Sequence, residues 1–167
     1  MNISRFLNTD LIRLQLETEV YIDPEEPLNP EKWARLTKEK LLWELVELLE
    51  KSGKVKNRKR LFADLHNREK KASTGIGYGI ALPHVRTMQV SDFVVGFARS
   101  KEGYEFGSLD GGLAHLFFVM AAPPYDDQLY LRVFKSLAEL LHFEHFRRRL
   151  LEANSEYEII RAFKEME

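Results

Sequence analysis

The stretch from Arg68 to Arg86, reading REKKASTGIGYGIALPHVR, narrows what this chain can fold into more than any other part of it. Glycines alternate at Gly75, Gly77 and Gly79, a spacing that reads as a fixed backbone path rather than a floppy linker. Pro83 disfavours a helical conformation for Leu82, so Ile80 to Leu82 predicts a short extended run with His84 emerging at its end. The composition of the stretch suits an anion. Glycines let backbone N–H groups approach one closely, Ser73 and Thr74 add hydroxyl donors, and Arg68 offers a planar fork to phosphate oxygens. His84 is a nitrogen nucleophile when its ring is neutral. Blander readings stand beside these. Arg68 could be a solvated cation near a helix C-terminus, Glu69 a surface charge or the group that orients Arg68, and Ser73 and Thr74 simple turn caps. Which ring nitrogen of His84 would react is not fixed by the sequence.

Around this stretch, helical and strand-like segments alternate. Ile12, Leu14 and Leu16 alternate with polar residues and predict a half-buried strand. Tyr21 to Arg35 holds Pro24, Pro27 and Pro30 and reads as a surface excursion. Thr37 reads as an N-cap for a helix over Lys38–Lys51, with leucines on one face and Gly53 at its end. Asn57 can cap a second helix through about Glu69, with the glycine segment following as a loop. Strands are expected at Phe93–Ala98 and Leu116–Ala121. A helix follows Pro123-Pro124 from Asp126 or Asp127 to about Leu141. Phe143–Ala153 is again helical, and Ser155 with Glu158 forms a capping box before a last helix. The pattern predicts an α/β fold, a single layered domain over residues 1–167 with helices on the faces of an apolar sheet, and residues 21–35 as a surface insertion.

Composition excludes several classes. With no cysteine, thiol catalysis, disulfides and cysteine metal sites are out. A formal net charge of −1 gives no global field for nucleic acid. No apolar run reaches membrane-spanning length, so a cytoplasmic protein without direct membrane insertion is expected. His142 and His145 are spaced like a metal pair but lack a third ligand, and neither a metal nor a cofactor is expected. His115 opens an apolar strand and reads as structural.

The run Arg68-Glu69, Ser73-Thr74-Gly75-Ile76-Gly77, Gly79-Ile80-Ala81, Leu82-Pro83-His84 resembles the active-site signature of the type-2 enzyme IIA family of the bacterial phosphotransferase system, the mannitol, fructose and nitrogen-regulatory class. The resemblance implies an α/β domain with a mixed central sheet. It implies a phosphotransferase component in which His84 accepts a phosphoryl group from the carrier protein HPr and passes it to a IIB domain. Arg68 would be the phosphate-facing cation. Ser73, Thr74, Gly75, Gly77, Gly79 and Glu69 would shape the phosphate site. The alternative within the resemblance is a nitrogen-regulatory-type module that controls target proteins according to its phosphorylation state. Many family members carry a second histidine near the first. Here Tyr130 falls at that place, able to hydrogen-bond a phosphate oxygen but not as a cation. Family members meet partners through an apolar surface around the histidine, for which Tyr78, Val85 and Met88 are the candidates.

Overall fold

The computed structural model describes residues 2–167, the side chain of Asp127 excepted. Among these residues are six β-strands in one mixed sheet and five α-helices. The strands are β1 (Ile12–Arg13), β2 (Gly75–Gly77), β3 (Ile80–Ala81), β4 (His84–Arg86), β5 (Val94–Tyr104) and β6 (Ala114–Ala122). The helices are α1 (Pro30–Glu50), α2 (Arg58–Lys71), α3 (Asp127–Leu141), α4 (Glu144–Glu152) and α5 (Glu156–Met166).

Helix α1 starts earlier than its leucines predict. The Asn29 side chain accepts the N–H of Lys32, and Pro30 takes a first-turn position, where its missing N–H costs nothing. Thr37 is therefore not a cap. It is buried in mid-helix, and its hydroxyl accepts the N–H of Tyr21 at 2.8 Å. The excursion expected over 21–35 is thus confined to residues 21–29, which run over the surface without helix or strand. Asn57 and Ser155 do cap α2 and α5, accepting the N–H groups of Arg60 and Glu158.

Strand β6 organises the sheet. It pairs antiparallel with β5 on one side, from Val94 opposite Ala121 to Tyr104 opposite Ala114. Along its other side it takes two short parallel strands end to end. Ile80 and Ala81 of β3 lie opposite Leu116 and Phe117, and His84 to Arg86 of β4 lie opposite Met120 to Ala122. Pro83, which cannot donate to the ladder, sits in the break between them. The glycine segment is not a loop. Gly75–Gly77 forms β2, antiparallel to β3. Strand β1 is shorter than the alternation at Ile12–Leu16 suggests and pairs parallel with β5.

Side chains alternate across β6 into two cores. Leu116, Phe118, Met120 and Ala122 pack with residues of α3, α4 and α5 on one face. Phe117, Val119 and Ala121 pack with residues of α1 and α2 on the other. The same alternation governs β4. Val85 enters the α1–α2 core, which sends its neighbours His84 and Arg86 to the α3 face.

Candidate functional site

Three elements converge beside β4. The last turn of α2 brings Asn67, Arg68 and Lys71, β4 brings His84 and Arg86, and the start of α3 brings Tyr130. Together with Asp64, Thr87, Met88 and Pro124 they wall an open groove of about 760 Å³. Asp64 braces its floor by accepting the hydroxyl of Thr87 at 2.6 Å.

The imidazole of His84 packs edge-on to Phe134, ring centroids 5.2 Å apart, and tilted against Tyr130 at 5.8 Å. Its Nδ1 lies 2.6 Å from the carbonyl oxygen of Leu82. A carbonyl only accepts, so Nδ1 carries the proton and Nε2 keeps its lone pair. Burial of the ring lowers its pKa below the ordinary histidine value; the Leu82 carbonyl and the Glu69 carboxylate work against this, and the charges of Arg68 and, least, Arg86 add to it. The neutral, Nε2-nucleophilic form thus prevails at neutral pH. The Tyr130 phenol is pushed up to about 12, chiefly by burial, although Arg86 and Arg68 pull the other way. It stays protonated and able to donate. Arg68 donates one N–H to the Ala72 carbonyl at 3.0 Å, which draws its guanidinium back over the end of α2.

The other residues singled out from the sequence lie elsewhere. Glu69 is not a surface charge. It is buried, accepting the N–H of Thr74 at 2.6 Å and the Thr74 hydroxyl, and pairing with Lys38 at 3.2 Å. Ser73 donates to the Phe106 carbonyl at 2.6 Å. The turn after β2 holds Gly77, Tyr78 and Gly79 all at positive φ. Its Tyr78 N–H donates to the Asp110 carboxylate at 3.1 Å. Gly75 packs against Ser108, where a Cβ would come within 2.5 Å of the hydroxyl oxygen. These residues form a scaffold between β2 and the residues following β5. His84, Arg68 and Tyr130 are brought together; Ser73, Thr74, Gly75, Gly77, Gly79 and Glu69 are engaged in contacts of their own. Of the expected apolar rim, Tyr78 and Met88 are exposed and Val85 is buried. Arg86, Lys71 and Asn67, which the sequence does not single out, line the same groove. A signal existed for Arg86: two residues beyond His84 in an extended segment, it must share the histidine's face.

Among the described residues no cluster of histidines and carboxylates could hold a metal, and no helix is long and apolar enough to cross a membrane.

Residues 33–166 match the family "Phosphoenolpyruvate-dependent sugar phosphotransferase system, EIIA 2". The chain is 43% identical over 123 residues to the fructose-specific EIIABC component of the phosphotransferase system of Bacillus subtilis, a match covering 74% of this chain but 19% of that protein. It is 38% identical over 119 residues to the fructose-specific EIIA component of Haloferax volcanii, covering 71% of this chain and 77% of that one. Among solved structures, the nitrogen regulatory protein IIA-Ntr of Neisseria meningitidis superposes with a TM-score of 0.80 at 27% identity, over 96% of this chain and 98% of that one. The IIA of the Escherichia coli complex between enzyme IIA-mannitol and phosphorylated IIB-mannitol shares the fold, with a TM-score of 0.73 at 24% identity over 95% and 97% of the two chains.

Proposed function

Since the chain belongs to the EIIA 2 family of the phosphoenolpyruvate-dependent sugar phosphotransferase system, and so is a phosphotransferase component, we propose that His84 is its phosphorylated residue and Nε2 the phosphorylated atom. The observation that carries this reading is the contact between Nδ1 and the Leu82 carbonyl. It fixes the tautomer and leaves the Nε2 lone pair free for attack. The phosphoryl group arrives on the histidine nitrogen of a donor. The donor P–N bond breaks as the Nε2–P bond forms, and no proton need leave the accepting atom. Arg68 stabilises charge on the transferring group, and the Tyr130 hydroxyl donates to one of its oxygens.

The donor we propose is HPr and the acceptor a IIB domain. The relatives of higher identity are fructose-specific transport components, one of them joining IIA to further parts in a single chain. The nitrogen-regulatory alternative is supported by the lower-identity likeness to IIA-Ntr. The test is transfer of labelled phosphate from phospho-HPr to the wild type and to His84→Ala. Acid-labile, alkali-stable label on the wild type and none on the variant is the expected result. Equal label on both would move the phosphorylation site away from His84.

A further inference from the structure

A phosphoryl group on histidine adds close to two negative charges to the groove, and a single arginine compensates only about half of that. Arg68 already gives one N–H to the Ala72 carbonyl. The groove holds a second guanidinium, on the strand that bears the histidine. Arg86 follows His84 by two residues in β4, so the two side chains leave the same face of the sheet roughly 7 Å apart along the strand. The Arg86 guanidinium lies over the ring of Tyr130, 5.0 Å from its centroid. That ring in turn lies 5.8 Å from the imidazole. Tyr130 is only 6% exposed and packed among the buried residues of α3, so it is a fixed shelf rather than a mobile side chain.

We propose, resting on the reading of His84 as the phosphorylated residue, that Arg86 is a second phosphate-binding cation, laid on the Tyr130 ring so that its guanidinium meets the phosphoryl oxygens carried by Nε2. Tyr130 then has two roles. Its face holds the arginine, and its hydroxyl reaches the same phosphoryl group. An exposed arginine at a groove rim would ordinarily be a solvated charge worth little. Two features separate Arg86 from that case: its place on the histidine's face, and the buried aromatic ring beneath it, where a guanidinium gains from the π face what it loses in hydration.

The test uses the full chain as wild type, R86Q, R86K and H84A. Transfer of label from phospho-HPr, the half-life of the phosphorylated protein and the NMR titration of the His84 ring are measured for each. Arg86→Gln should accept phosphate at least about tenfold more slowly and lose it faster. Its His84 should titrate at higher pH than in the wild type, and Arg86→Lys, which keeps the charge but not the planar fork, should fall between. The histidine titration reports only that the charge is near the ring; a merely structural arginine would leave the rate of transfer and the half-life of the phosphorylated protein unchanged. An R86Q variant within about twofold of wild type in both rate and half-life would overturn the proposal. Failure of the underlying reading looks different. Label would then be absent from the wild type, or retained by H84A, and the Arg86 proposal would fall with it.

Discussion

Burial of the His84 ring acts on chemistry and on stability in opposite senses. For the chemistry, a lowered pKa keeps Nε2 unprotonated further into acid. The acid limb of the rate of phosphoryl acceptance should therefore lie below the ordinary histidine value of about 6.5, and NMR titration of the ring should give the same midpoint. A limb at or above that value would contradict the environment described for the ring. For stability the sign reverses. The unfolded histidine takes a proton first, so this residue's contribution is complete above about pH 6.5 and is lost as pH falls towards the depressed folded value. At this scale the sequence was informative where chemistry is local. His84 and Arg68 were legible from the stretch itself, Tyr130 only through the resemblance, and all three meet in one groove. Glu69 was not, because nothing in its neighbourhood along the chain announces that a carboxylate will be buried and claimed by Thr74 and by Lys38 from another helix. Arg86 carries no motif of its own, and only the strand's two-residue period ties it to the histidine.

Among the elements, α2 does most to set the site, since its final turn presents Arg68 while the next residue fastens the helix end from beneath. The Glu69 carboxylate takes two hydrogen bonds from Thr74 and the ammonium of Lys38 on α1, so it joins the end of α2 to the start of β2 and to the neighbouring helix. Glu69→Ala leaves Lys38 without its charge partner in a mostly buried setting, and should cost about 3 kcal/mol of unfolding free energy in urea. Glu69→Gln, which still accepts from Thr74, should cost less. A loss below about 0.5 kcal/mol for the alanine variant would mean that α2 is held by packing alone. Helix identities were readable from apolar periodicity and caps, but boundaries were not. The first turns of α1 from Pro30 to Arg35 mix charged and apolar residues and give no helical period, and Pro30, one of the prolines that suggest a break, serves here as the helix's beginning. Strand β5 runs on to Tyr104 through charged residues and a register shift, beyond the apolar stretch that marks its start. The β2 strand hides behind its glycines, since strand propensity speaks against them and only pairing with β3 makes them extended.

For the molecule as a whole, the sheet divides the interior, and β6 feeds both halves with alternate side chains. That division places the histidine on the α3 face while its nearest arginine on α2 comes round from the other, so the groove can open only at the sheet's edge, where β4 has β6 on one side alone. The layered α/β character followed from the alternation of segments, whereas the end-to-end docking of β3 and β4 on one strand depends on long-range pairing that no local pattern encodes. At the turn Gly77–Gly79, where all three residues have positive φ, the Asp110 carboxylate takes the Tyr78 N–H, and it also takes the N–H of Gly112, so a carboxylate already occupies a backbone donor there. Those two bonds also hold the Asp110 carboxyl below its usual range, so it stays charged as the solution is acidified. A chain built this way carries an internal counterfeit of phosphate. In a titration with inorganic phosphate followed by amide NMR, the signals of residues 77–79 should stay still while those around His84 and Arg86 move; shifts at the turn would mean that the counterfeit can be displaced. With the Tyr78 N–H of the turn already claimed by Asp110, the groove proposed for phosphate at His84 meets no competitor from it.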